Sequence, residues 1–307
     1  MKQLDWGKAF RALREKYGLS QRQLAIDLGY SIATISRIEN GKLIPPFSVI
    51  EHALQRLGED SQDYIAFFLD GDEKHGYQTI QKLRHLIVEE DYEEIRKVVA
   101  EAEGQAAFAS GLYLQYIAFC KAVSDGSITE QERLDLLLDV IRMTQKAFPE
   151  SAPYFLSHNE ITIIGKIAST YHRLGEHEKA VQIMYGVKES MDVFYNDEWE
   201  KSQTYPMVLY NLAVYLGALE RNKEAQEICI EAKKHAIKYN TMRCLPNIIA
   251  YMAHNYFLEE DYSRFKEYFI EAYYTARAMG QHRLANHMIH VATDRYKGHL
   301  DGIPFVT

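Results

Sequence analysis

Three eighteen-residue segments of this chain align in one register: IASTYHRLGEHEKAVQIM (167–184), LAVYLGALERNKEAQEIC (212–229) and MAHNYFLEEDYSRFKEYF (252–269). Small residues Ala168, Ala213 and Ala253 share one position, large Tyr171, Leu216 and Tyr256 fall three later, and Ala180, Ala225 and Phe265 twelve after the first. The offsets are 45 and 40 residues. A unit that short cannot bury its own apolar face, so it must be a helix pair stacked on copies of itself. Two weaker copies precede these. One contains Leu83, Leu86 and Ile95, the other is built on Ala118 with an insertion around Asp125-Gly126, and the EEDY of 89–92 recurs at 259–262. The expectation is an all-α body of about five helical hairpins, with a last helix from His282 to roughly Lys297 over the end of the stack.

The amino-terminal stretch follows different rules. Trp6, Ala9, Phe10 and Leu13 form one apolar stripe, and Gly18 stops that helix. Ser20 caps a second helix in a capping box with Gln23, and Leu24, Ala25 and Leu28 face inward. Gly29 gives the turn its backbone freedom, Ser31 caps a third helix with Ile35 and Ile38 inward, and Asn40-Gly41 ends it. Pro45-Pro46 leads into a fourth helix with Ile50, Ala53, Leu54 and Leu57 on one side. DGDEKHG, bracketed by Gly71 and Gly76, reads as a linker. The expected domains are therefore 1–69, a linker at 70–76, and a repeat domain at 77–307.

Charge is divided along the same line. The chain carries a formal −8, but residues 1–44 hold eight Lys or Arg against four acids, which leaves −12 on the remainder. A basic head can meet phosphate while an acidic body stays off it. No apolar run approaches the ~20 residues that span a bilayer, so a soluble, cytoplasmic protein is expected. Cys120, Cys229 and Cys244 are too scattered for a disulfide framework or zinc site and read as core residues. No Walker loop, dinucleotide fingerprint or nucleophile elbow is present. His177-Glu178 starts like a zinc-protease motif, but Val181 stands where a second histidine is required. His282, His287 and His290 read as a polar face or a subunit contact. No catalytic residue, metal or cofactor is expected.

The head resembles the XRE or Cro-type helix-turn-helix family of phage and bacterial repressors, through Ser20-Gln21, Leu24-Ala25, Gly29, Ile35 to Gly41 and Pro46. That resemblance places Ile32–Asn40 in the major groove. Ser31 opens this helix. Arg37 could pair with guanine or be a solvated charge, Ile32 and Ala33 offer contact to thymine methyls, and Gln21, Thr34, Ser36 and Lys42 suit phosphates. By the same resemblance Glu39 pairs with Arg14 inside the head.

The small-large-small order of the body is similar to tetratricopeptide repeats, which implies a right-handed solenoid whose first helices line a concave groove. Positions around the packing alanines then put Lys166, Ser169, Tyr210, Asn211, Asn247, Tyr251 and His254 on that face. An asparagine there could donate to and accept from a peptide backbone, or could only tie two hairpins together.

Head and body together resemble the RRNPP regulators of Gram-positive bacteria, most closely the PlcR-like and Rgg-like members. The resemblance implies a homodimeric, quorum-sensing transcription factor on a palindromic DNA operator, with heads about 34 Å or a larger spacing apart, controlled by a short signalling peptide in the groove. The alternative is a DNA-tethered adaptor whose body holds a folded protein.

Overall fold

The computed structural model of the chain describes residues 6–43, 71–150, 154–195, 198–296, 298–300 and 305, and among these the regular secondary structure is all helical. The chain divides into two compact units, Met1–Ser124 and Asp125–Thr307. The division falls at the Asp125-Gly126 insertion that interrupts the repeat.

In the first unit, α1 (Trp6–Lys16), α2 (Gln21–Leu28) and α3 (Ile32–Glu39) enclose Phe10, Leu24, Ala25, Leu28, Ile35 and Ile38. Short-range chemistry sets each boundary. Ser20 Oγ accepts from the Gln23 amide (3.2 Å) while Gln23 Oε1 accepts from the Ser20 amide (2.9 Å), the expected capping box. Gly29 turns the chain at φ 71°, and Ser31 Oγ accepts from the Thr34 amide at 3.0 Å. Helix α1 crosses the end of α3 at Gly7, where an added Cβ would lie 2.6 Å from the Glu39 carbonyl oxygen. The side chains of Trp6, Ala9 and Leu13, and the expected fourth helix with Ile50, Ala53, Leu54 and Leu57, lie outside the described residues.

The same unit contains α4 (Gly71–Glu89), α5 (Tyr92–Ala102) and α6 (Gly111–Ser124), with α4 on α5 and α5 on α6. The stretch expected as a linker is thus helical from Gly71. Gly76 is buried, and a Cβ there would stand 2.7 Å from the Tyr113 ring of α6. Its lack of a side chain lets an aromatic ring approach a helix; it does not free a loop.

The second unit begins with α7 (Glu130–Arg142) and continues through the pairs α8 (His158–Arg173) with α9 (His177–Phe194), α11 (Tyr205–Ala218) with α12 (Asn222–Lys238), and α13 (Leu245–Leu258) with α14 (Tyr262–Ala278). The short α10 (Glu198–Ser202) precedes α11, and α15 (His282–Arg295) follows α14. Each first helix packs on its own second helix, each second helix on the next first, and α8, α11 and α13 lie side by side. This is tetratricopeptide-like stacking. Ala168, Ala180, Ala213, Ala225, Ala253 and Phe265 are all fully buried, as the alignment requires.

The repeated EEDY segments make the same turn. Glu90 and Glu260 adopt φ of 56° and 60°, and the following Asp91 and Asp261 accept from the amides of Glu94 and Arg264 at 3.1 and 3.0 Å. Glu220 shares the left-handed backbone at φ 59°, with Arg221 following it and no side-chain cap. Beyond α15, Tyr296, Leu300 and Phe305 fold back on a core containing Phe265, Phe269 and Tyr273. Cys120 and Cys229 are buried and Cys244 is half-buried. No helix among the described residues is long and apolar enough to cross a membrane.

Candidate nucleic-acid and ligand sites

The outer face of α3 is backed by a buried ion pair. Glu39, at the end of α3, is 3% exposed and takes three hydrogen bonds: from Arg14 Nε at 2.6 Å, from Arg14 Nη2 at 3.0 Å and from Gln21 Nε2 at 2.7 Å. Arg14 Nη1 also donates to the Leu19 carbonyl at 2.6 Å, and Arg11 Nε stands 3.4 Å from Glu39. Burial alone would lift the Glu39 carboxyl, yet the hydrogen bonds of Arg14 and Gln21 hold it below the ordinary carboxylate range. One carboxylate therefore ties α1 and α2 to α3.

With its inner face anchored, α3 exposes Ser31, Ile32, Ala33 and Arg37 to solvent; Thr34 and Ser36 are half-buried, and Lys42 beyond the helix is exposed. Ser31 and Thr34 hydroxyls lie 2.8 Å apart, and Asn40 Nδ2 reaches Ser36 Oγ at 3.3 Å. Gln21, expected at phosphate, turns its amide nitrogen inward to Glu39 at 2.7 Å, where it completes the carboxylate's hydrogen bonding. Ile26 is 69% exposed at the surface of α2, a residue the motif did not single out.

The second unit holds a cleft of about 440 Å³ among α11, α13 and α15. Of the seven residues expected on the concave face, Tyr210, Asn247, Tyr251 and His254 line the cleft. Tyr210 hydrogen bonds with Asn247, and its ring meets that of Tyr251 edge-on at 6.3 Å. Tyr251 crosses α11 at Gly217, so closely that a Cβ there would lie 1.8 Å from the hydroxyl. Lys166, Ser169 and Asn211 are half-buried on α8 and α11 but do not line this cleft. Ser169 already accepts from Arg173 at 2.9 Å and hydrogen bonds with Tyr215, so its hydroxyl serves the stack.

The opposite wall belongs to α15, the helix expected over the end of the stack. Leu284, His287, Met288, Val291 and Arg295 line the cleft along one helical face. Their spacing was the available signal, but α15 has no counterpart in the repeat that would have placed it. All three histidines of this helix are exposed; His287 is at the cleft's edge, while His282 and His290 do not line it, and His290 lies 3.5 Å from Asp294.

Hydrogen bonding fixes the polarity of the cleft floor. Burial keeps the Tyr296 hydroxyl protonated and, with the nearby Arg295, favours neutral His254. Tyr296 Oη and His254 Nδ1 are 2.9 Å apart. A protonated tyrosine hydroxyl donates to Nδ1 of a neutral imidazole, which then carries its proton on Nε2.

Head and body define a class: a helix-turn-helix domain followed by a tetratricopeptide-like repeat body. Residues 6–64 match the helix-turn-helix domain family. No curated protein sequence matches the chain. In fold the chain is similar to Bacillus thuringiensis PlcR in complex with the peptide PapR7 and DNA, with TM-score 0.69, 16% identity, and 94% of this chain and 99% of that one covered. It is similar to PlcR in its apo form at TM-score 0.60 and 15% identity, with coverage of 94% and 99%. The Streptococcus dysgalactiae SHP pheromone receptor Rgg2 follows at TM-score 0.54 and 14% identity, covering 95% and 99%. The likeness to the RRNPP regulators thus extends over the fold of both parts.

Proposed function

We propose that this chain is a sequence-specific, DNA-binding transcriptional regulator whose activity is set by a short peptide bound along α8, α11 and α13. The observation that carries the proposal is the pairing of an anchored α3 with an exposed outer face and a separate aromatic cleft, in a fold that PlcR displays with peptide and DNA bound. Residues 1–69 act as the DNA-binding part and residues 77–307 as the peptide-binding and dimerisation part. Ser31, Ile32, Ala33, Thr34, Ser36, Arg37 and Lys42 form the DNA-facing set. Tyr210, Asn247, Tyr251 and His254 hold one end of the peptide, and Lys166 and Asn211 lie further along the row.

A peptide changes the output only as far as it binds one arrangement of the protein better than another. A homodimer converts that preference into head spacing on a palindromic operator. The test is a reporter under the chain's own promoter, with synthetic peptides encoded by neighbouring open reading frames. Asn211→Ala should abolish the peptide response and leave basal DNA binding intact; an unchanged response removes Asn211 from the site. Retention of a folded protein partner, with no peptide retained, would establish the adaptor instead.

A further inference from the structure

The cleft has a chemical bias opposite to that of the chain as a whole. The sequence carries a net −8, yet among the described residues the cleft is lined by Arg295, His254 and His287 and by no carboxylate. Asp294, adjacent to Arg295 in sequence, is exposed and paired with His290 along its own helix. With Tyr296 Oη on His254 Nδ1, the lining offers a ligand the Arg295 guanidinium N–H groups and His254 Nε2 as donors. Beside these donors, Leu284, Met288 and Val291 offer an apolar wall. A volume of about 440 Å³ falls in the ~300–1,000 Å³ range of sites that enclose a whole small ligand.

Position adds a second constraint. The side-by-side row α8, α11, α13 ends at α13, α15 packs on α14, and Tyr296, Leu300 and Phe305 fold back on Phe265 and Phe269 of α14. An extended chain lying along the row reaches the cleft at its α13 end. A terminal ammonium would face Arg295, whereas a terminal carboxylate meets its donors.

We infer that the cleft among α11, α13 and α15 receives the C-terminus of the bound peptide, with the free α-carboxylate on Arg295 and an apolar last side chain against Leu284, Met288 and Val291. This rests on the peptide reading above and adds the peptide's direction and the character of its last residue. His254 Nε2 supplies a further donor, and Tyr251, held over Gly217, covers the bound residue.

The full chain is mixed with two synthetic heptapeptide pools, randomised throughout, one of free acids and one of C-terminal amides. Peptides retained after gel filtration are identified by mass spectrometry. Free acids ending in Leu, Met, Phe or Tyr should exceed their amides by about tenfold or more, the worth of one charge-assisted hydrogen bond. Arg295→Gln should erase the advantage and Arg295→Lys keep part of it, with melting curves showing that at least the lysine variant is folded. Equal retention of acids and amides overturns the inference alone and leaves peptide binding standing. Enrichment of Asp or Glu within the amide pool also overturns it, by giving the carboxylate to a side chain. Retention of no peptide overturns it together with the peptide reading.

Discussion

Arg14 Nε lies 2.6 Å from Glu39 Oε1, across a buried contact joining the first helix of the head to the end of the third. Removing one partner of such a pair leaves the other desolvated and uncompensated, so Glu39→Ala should cost about 3 kcal/mol of head stability. DNA affinity should fall for all sequences together, because the helix that reads them loses its anchor. The Glu39 pKa is lower in the folded protein than its ordinary 4.5. Its contribution is therefore complete above about pH 4.5 and is lost as pH falls through the depressed folded value. Acid titration followed by circular dichroism should show a flatter decline for Glu39→Gln, and an unchanged acid limb would contradict the assignment.

Arg37 and Lys42 are both exposed cations, but they should fail in different ways. Arg37→Ala is expected to lose about 1–3 kcal/mol on the preferred operator and to relax preference at one base pair. Lys42→Ala should weaken every sequence alike and reduce the salt dependence by about one counterion. Fluorescence anisotropy across a salt series distinguishes the two; a shallower salt slope with intact specificity for Arg37→Ala would make that residue a phosphate contact.

Gly217 permits the crossing of Tyr251. In Gly217→Ala the new Cβ would overlap the tyrosine hydroxyl, and the ring must swing out of its place in the cleft. Alanine also favours the helix by roughly 1 kcal/mol, which offsets the lost contact. Melting temperature should shift by only a few degrees, while the peptide response in the reporter falls at least about tenfold. A full response would show that Tyr251 takes no part in binding.

At Glu260 the backbone adopts φ 60°, a left-handed conformation that costs a side chain about 1 kcal/mol. Glu260→Gly should raise stability by up to about that amount, less the flexibility glycine adds to the unfolded chain. Urea unfolding checks the sign. Destabilisation would mean that the Glu260 side chain makes a contact outweighing the strain.

The legible parts of this chain were those encoded over short distances. Ser20, Gln23, Gly29 and Ser31 specify caps and a turn within a few residues of themselves, and Ala168, Ala213 and Ala253 announced the stack by repetition. Gly76 is ambiguous in sequence because glycine in a charged stretch signals a loop equally well as a close approach, and Tyr113, 37 positions away, decides between them. Gln21 suits phosphate by residue type, whereas in the fold its amide nitrogen donates to Glu39. The cleft needed side chains from three helices at once. Asn247, Tyr251 and His254 are placed by register, but Arg295 and Met288 stand on α15, which has no counterpart in the repeat. Ser169 shares the register and still serves the stack, since Arg173 and Tyr215 occupy its hydroxyl.

The wall that α15 contributes also sets an order of events during synthesis. Repeat pairs contact only their neighbours, so the earlier hairpins can pack as they leave the ribosome. The cleft cannot exist until residues 284–296 have emerged and closed on α13. A nascent regulator is therefore deaf to a ligand of this cleft for most of its translation, and acquires hearing only near the end.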